Sequence, residues 1–393
     1  MALTFEQARQ TVLSEVTPLG SAEQVAPLAA AGRVLAEAIP ADRDYPPFAR
    51  SARDGYAIRA ADVPGELEII GEIRAGEIFS RAIGPGQAAE IMTGAPLPPG
   101  ADAVVMIEHT TREGNRVRIG RALRSGENFN PRGIEAGQGT TLLDPGRRLT
   151  PAEIGLLAMT GRERVLVYRQ PRVAIVPTGD ELVEAGQTPR DFEIRNSNAW
   201  SIAAQAVRAG AIPEILPIAR DNYGDTRQRI ERGFEADLLL LSGGVSAGKY
   251  DIVERVLADL GAVFFFDRVL IQPGQPVVFG KAREKFFFGL PGNPISTLIT
   301  FELFARAAID RLSGAPHSPL PLLRAKLACD FRHKPGLTRF LPARLSDDGS
   351  AIAPEKWHGS GDLAAVARAN AFLVADADRE SWRAGEDIRV MLK

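Results

Sequence analysis

Three times between residues 172 and 296 a short apolar run ends in a loop of small or polar residues and passes into a helical pattern. Val173–Val176 leads into Pro177-Thr178-Gly179-Asp180-Glu181, Asp237–Leu241 into Ser242-Gly-Gly-Val-Ser-Ala-Gly248, and Phe286–Leu290 into Pro291-Gly-Asn-Pro294. Runs apolar at every position need cover on both faces, and strands that alternate with helices impose parallel crossover units. The segment is therefore expected to form a doubly wound α/β domain. Asn196-Ser197-Asn198 offers caps for a helix to about Ala209, and further helices are expected from about Asp251 to Leu260 and from Pro294 through Leu312. Ile215–Ile218 reads as one more short strand.

The rest of the chain is punctuated differently. From Pro40 to about Pro145, β-like runs such as Glu68–Ile73 and Ala103–Ile107 are split by Gly84-Pro85-Gly86, Pro96-Leu-Pro-Pro-Gly100 and Pro131-Arg-Gly133. Thr150 and Pro151 then suit the start of a helix. Beyond Pro319 the runs Leu322–Leu327, Phe372–Ala375 and Asp387–Leu392 carry few helical signals. The expected division is an N-terminal helical and linker part (1–40 with 146–171), a β-rich part (41–145), the α/β domain (172–318) and a small C-terminal β-barrel (319–393). A length of 393 residues accommodates this, at roughly 150 residues per domain.

Composition removes whole classes. With 47 basic and 49 acidic residues the chain has no global pull toward nucleic acid or anionic membrane. A single cysteine, Cys329, excludes a disulfide framework and any multi-thiolate metal centre, and the four histidines (His109, His317, His333, His358) lack ligand spacing. The N-terminus, MALTFEQARQTVLSEV, reads as an amphipathic helix and not as a signal peptide, and no run approaches the ~20 apolar residues that span a bilayer. A cytoplasmic, multidomain protein is expected.

In open parallel sheets, ligands bind beyond the carboxyl ends of the strands. Glycines there let backbone approach a ligand, and free N–H groups at helix starts attract anions. The loops at Ser242–Gly248 and Pro291–Pro294 suit phosphate, while Asp180 and Glu181 suit a divalent cation or a hydroxyl donor. An anionic, phosphorylated small molecule, with magnesium, is the natural inference; tight turns without a ligand are the plain alternative. Gly243 through Lys249 also fits G-x-x-x-x-G-K, but a P-loop needs Ser or Thr next to ligate magnesium, and this chain has Tyr250.

Together these residues resemble a family. Ser51-Ala-Arg-Asp-Gly-Tyr-Ala57, Ile91-Met-Thr-Gly-Ala-Pro96, Thr178-Gly-Asp-Glu-Leu182, Ser242-Gly-Gly-Val-Ser246 and Leu290-Pro-Gly-Asn-Pro-Ile-Ser296 follow one another as in the molybdopterin molybdotransferases, MoeA in bacteria and the gephyrin E-domain in animals. The resemblance runs over essentially the whole chain. It implies insertion of molybdate into adenylylated molybdopterin with release of AMP, assisted by Mg2+. It further implies a homodimer whose active site joins one subunit's α/β domain to its partner's β-rich domain. Molybdopterin adenylyltransferase and molybdoenzymes are the implied protein partners.

Carried over, Asp54 matches a carboxylate presented across the dimer interface, and Thr93 and Gly94 a polar turn near the same cleft. Thr178, Gly179, Asp180 and Glu181 match the acidic loop beside the pterin. Ser242, Gly243, Gly244 and Ser246 match the pterin- and phosphate-facing loop, and Pro291, Gly292, Asn293, Pro294 and Ser296 the second loop of that pocket. Asp251, with Glu181, matches the acids near magnesium and pyrophosphate. Plain structural roles stand beside these: a turn for Asp54, a cap for Asp180, solvated charge for Glu181, a helix-start carboxylate for Asp251.

The chain departs from the family pattern in charge. Lysines expected to hold molybdate are Gln272 and Gln275 in Gln272-Pro-Gly-Gln-Pro276, and an expected arginine is Pro342. Cations stand where acids are usual, at Lys249 and Arg339; the Gly-Glu-Asp pattern reads Gly133-Ile134-Glu135, and an Asp has become Asn196. Two readings follow: the new cations rebuild the anion site, or the chain is a catalytically reduced carrier of molybdopterin or finished cofactor.

Overall fold

The computed structural model describes residues 2–244, 252–316, 318 and 320–393. Contacts divide the chain into two compact units, one of residues 1–36, 146–150 and 165–393, the other of residues 37–145 and 151–164. The helix Pro151–Met159 thus groups with the β-rich segment, whereas the sequence division joins it to the N-terminal part.

The first unit is built on a six-stranded sheet. Numbering only that sheet and its helices, the order along the chain is β1 (Arg172–Pro177), α1 (Asn198–Arg208), β2 (Ile212–Ile215), α2 (Tyr223–Gly233), β3 (Leu238–Ser242), α3 (Ile252–Asp259), β4 (Val263–Phe266), β5 (Val278–Ala282), β6 (Lys285–Leu290) and α4 (Pro294–Thr300). In space the strands run β2-β1-β3-β6-β5-β4; the first four are mutually parallel, and β5 is antiparallel to both its neighbours. Alternate residues of β1, β3 and β6 face two cores. Val173, Ile175, Leu238, Leu240 and Phe288 join one, and Ala174, Val176, Leu239, Leu241 and Phe287 the other. That is why the interiors of these strands are apolar without alternation.

Two expectations shift. The regular strand is Ile212–Ile215, because Pro217 has no N–H for a ladder; residues 216–219 stay beside β1 through single bonds, Leu216 N–H to Ile175 O (2.9 Å) and Ala219 N–H to Pro177 O (2.8 Å). The helix from Pro294 is interrupted by a π-helical stretch, Phe301–Ala305, before Arg306–Leu312.

The N-terminal helix Phe5–Glu15 opens with a reciprocal Thr4/Gln7 capping box and buries Phe5, Ala8 and Val12. Phe5 meets Phe340 edge-to-face at 5.6 Å. The C-terminal strands close a barrel: Thr338–Leu345 pairs with Ala351–Pro354 and with Ala371–Ala375, and Leu322–Leu327 and Asp387–Leu392 complete the circuit.

The second unit holds a six-stranded sheet in the order Ala103–Met106, Gly55–Ile58, Gln87–Ile91, Gly65–Ile73, Arg116–Ile119, Thr110–Glu113. Gly55 is forced by its neighbour, since a Cβ there would lie 1.8 Å from the Val105 carbonyl oxygen.

Candidate functional site

Loops at the carboxyl ends of β1, β3 and β6 are laced together by backbone. Thr178 N–H donates to Ser242 O at 3.0 Å, and Gly243 N–H to Leu290 O at 3.1 Å. Glycine is required at Gly243, with φ +92° and a virtual Cβ only 2.8 Å from the Thr178 carbonyl oxygen. Gly179 likewise has φ +142°, and a Cβ there would meet the Glu181 carboxylate at 2.4 Å.

Two cavities open at these loops and share the Pro291–Pro294 turn. The smaller, about 70 Å³, is lined by Thr178, Glu181, Ser242, Gly243, Gly292 and Pro294, together with Asn196 and Asn198. The larger, about 500 Å³, is lined by Gln272, Gln275, Pro291, Asn293 and Ser296, with Leu337 and Trp357 from the C-terminal region. The Pro291–Pro294 turn is held by the Thr297 hydroxyl, which donates to the carbonyls of Pro291 and Asn293.

Most of the expected residues therefore converge, with exceptions. Asp180 is exposed and lines neither cavity; it exchanges backbone bonds with Asp221, accepting the Asp221 N–H at 3.1 Å. Gly244 flanks the loop with φ +63°. Ser246, Lys249 and Asp251 lie outside the described residues. Among the described residues no three His, Cys, Asp or Glu side chains converge as metal ligands, so Glu181 and its described neighbours do not by themselves compose a metal site.

Sequence reasoning misses two residues. The sequence offers Asn196 and Asn198 as helix caps, yet both line the smaller cavity. Arg339 is one of the two cations the sequence offers for rebuilding the anion site. In the fold the strand Ile271–Gln272 runs parallel to Thr338–Leu345 with Gln272 in register with Arg339. Register partners on adjacent strands lie ~4.8 Å apart and face the same way. Arg339 forms no ion pair among the described residues, and its Nε is buried without a hydrogen-bond partner. Arg339 is thus the register partner of the first of the two neutral amides, although it lines neither cavity itself.

In the second unit, Asp54, Thr93 and Gly94 form one cluster. The Asp54 carboxylate accepts the Thr93 N–H at 2.6 Å and the Thr93 hydroxyl at 2.9 Å, while Gly94, φ +83°, donates its N–H to Ser51 O at 2.8 Å. The Thr93 N–H first, and its hydroxyl second, hold the Asp54 carboxyl below its ordinary value. A depressed carboxyl stabilises the fold above its unfolded pKa, and that contribution is lost as pH falls through the folded value. NMR titration should place the Asp54 midpoint below the ordinary aspartate value of about 3.9, and Thr93→Val should move it upward. An unmoved midpoint would show that the Thr93 hydroxyl does not set it.

Known proteins match this architecture along its length. Family models described as the MoeA N-terminal region (domain I and II), a probable molybdopterin binding domain and the MoeA C-terminal region (domain IV) match residues 3–161, 174–311 and 324–393. The chain is 36% identical to the molybdopterin molybdenumtransferase of Bacillus subtilis (strain 168), covering 95% of this chain and 90% of that protein. It is 34% identical to the one from Staphylococcus epidermidis (strain ATCC 12228 / FDA PCI 1200), over 92% of this chain and 88% of that protein. A solved molybdopterin biosynthesis MoeA protein from Pyrococcus horikoshii OT3 superposes with a TM-score of 0.82 at 28% identity, covering 100% of both chains.

Proposed function

The chain belongs to the molybdopterin molybdenumtransferase family, and on that premise we propose that it inserts molybdenum from molybdate into adenylylated molybdopterin and releases AMP. The observation that carries this reading is the convergence of loops at two helix starts, α1 and α4, and at the ends of three parallel strands into two adjoining cavities. The adenylylated substrate is a polyanion and molybdate a dianion, so bringing them together requires N–H donors and cations. Ser242, Gly243 and Gly292 bring backbone close to the smaller cavity. The amides of Gln272, Gln275 and Asn293 and the hydroxyl of Ser296 line the larger one. Arg339 is proposed as the cation for molybdate, standing in for the charge that glutamine at 272 lacks. The pterin dithiolate supplies the sulfur ligands, so the lone, exposed Cys329 has no part to play.

Magnesium typically meets one or two carboxylates and completes its shell with phosphate oxygens and water. Glu181 and Asp251 are proposed as those carboxylates; bound there, the ion would neutralise charge on departing AMP. Asp54 and Thr93 are proposed to serve a second copy in a homodimer, and the protein is proposed to work in the cytoplasm, exchanging pterin with molybdopterin adenylyltransferase and molybdoenzymes. Among the described residues no helix is long and apolar enough to cross a membrane. No observation favours the carrier alternative.

The test is AMP release by the purified protein supplied with adenylylated molybdopterin. Release that rises with added molybdate and magnesium is expected. Tight binding of the pterin nucleotide with no molybdate-dependent AMP would overturn the transferase reading in favour of a carrier.

A further inference from the structure

A third cavity of the first unit, about 610 Å³, lies where α3 meets the edge strand β4, and it shares no lining residue with the other two. Small-molecule sites typically occupy ~300–1,000 Å³. Glu254 and Ala258 line it from successive turns of α3 and Phe264 and Phe265 from β4, while Leu3 and Asp267 complete the wall. Leu3 is pinned there by the Leu270 N–H, which donates to its carbonyl at 2.8 Å. Phe264 packs edge-to-face on Phe287 at 5.7 Å yet stays 39% exposed, and Phe265 is half-buried against Phe279 at 5.1 Å. Rigidly held aromatic surface is thus left uncovered beside two acids.

The two carboxylates act on one another across this space. Burial first, and the charge of Asp267 second, push the Glu254 carboxyl above its ordinary value. Asp267 forms no ion pair among the described residues. Arg255 also lines the cavity, but its guanidinium lies over the Tyr223 ring, 5.5 Å from the centroid, and Tyr223 belongs to α2 and not to the lining. The cation is therefore engaged outside, and negative charge prevails within.

We propose that this cavity binds a small organic ammonium ion, its cationic head between the Glu254 and Asp267 carboxylates and its apolar body against Phe264, Phe265 and Ala258. Aromatic rings attract a cation through their faces, and one positive charge relieves the repulsion between the two acids. A divalent metal fits less well. It demands about six oxygen ligands, and most of this wall is apolar. An added β-strand fits less well too. Phe264 stands opposite Gly280 and Phe266 opposite Phe279, so Phe265 is the extra residue of a bulge, and bulges blunt an edge against further pairing. The site is independent of the molybdate chemistry, and nothing in that reading is needed for it.

The experiment is a calorimetric titration of the full chain with 4-phenylbutylammonium and with its uncharged isostere 4-phenylbutanol. Wild type should bind the ammonium about tenfold more tightly than the alcohol, as two partly exposed charge contacts and a ring face together supply. Glu254→Gln and Asp267→Asn should each weaken the ammonium about threefold, and the double variant should bring it level with the alcohol. Phe265→Leu should weaken it while keeping a preference for the ammonium. The two amide substitutions keep side-chain shape, so an unchanged melting temperature is expected and shows that the variants are folded. Equal binding of the two probes by wild type, binding of neither, or an unaltered ratio in the double variant overturns the inference. Mg2+ displacing the ammonium at lower concentration than the amine itself would make this an inorganic cation site and overturn it too. So would tighter binding of Nα-acetyl-lysine methylamide, which would assign the cavity to a lysine of a partner chain. AMP release in the double variant should match wild type.

Discussion

Arg169→Ala is expected to cost the larger unit about 2–3 kcal/mol of folding stability, less than the ~3–5 kcal/mol of a fully buried ion pair because the Arg169 side chain is itself 35% exposed. Asp237 immediately precedes β3, at the end of the sheet opposite the cavities, and is only 6% exposed. Its two carboxylate oxygens each accept from one Arg169 nitrogen at 2.7 Å, Oδ2 also accepts the Arg172 N–H at 2.8 Å, and Lys285 Nζ lies 3.6 Å away. Burial pushes the carboxyl up, but the Arg169 and Arg172 donors outweigh it and hold it below its ordinary value. A depressed folded pKa gives stability that is present above the unfolded value of about 3.9 and disappears as pH falls through the folded one. Chemical denaturation should therefore show a large gap between wild type and Arg169→Ala at pH 7 that narrows in acid. Asp237→Asn in the Arg169→Ala background should recover part of the loss. A gap of the same size at pH 7 and pH 3 would mean that Arg169 acts by packing alone.

Arg339→Ala is expected to raise the molybdate concentration for half-maximal AMP release by about 10- to 100-fold, the equivalent of one charge-assisted hydrogen bond to a dianion. The reason is positional. Gln272 and Gln275 line the larger cavity as neutral amides, and the guanidinium in register with Gln272 has no competing acid among the described residues. Affinity for the adenylylated pterin should hardly change, since the smaller cavity is lined by other residues. Arg339→Lys should restore part of the effect by returning the charge without the planar fork. A molybdate dependence untouched by Arg339→Ala would move the compensating charge elsewhere, with Lys249 the next position to substitute.

Much of the α/β architecture is legible because its signals are local. Leu238 to Leu241 are apolar without a break, and only a strand covered on both faces buries four such residues in succession. The strand β5 was not legible for an equally local reason. Its hairpin turn to β6 is Arg283-Glu284, with φ +49° and +60°, in the left-handed region where Gly or Asn is the usual signal. Both flanking strands are largely buried, Val278 and Phe279 on one side and Phe287 and Phe288 on the other, and that burial holds the turn without the customary residues. Among the site residues, Gly179, Gly243 and the Pro291–Pro294 turn could be found because backbone geometry restricts their identity. Asp180 could not be separated from Glu181 by letter; only the bonds to Asp221 show that it turns away.

The alternation of strands with helices, the ligand-bearing end of the sheet and the loops that ring it were determined by the sequence itself, since periodicity and turn chemistry act over a few residues. That Asn196 and Asn198 line the smaller cavity, and that Arg339 is the register partner of Gln272, were decided only in three dimensions. Those outcomes depend on hydrogen bonds and strand register between segments far apart in the chain, and no local preference records who the partner will be.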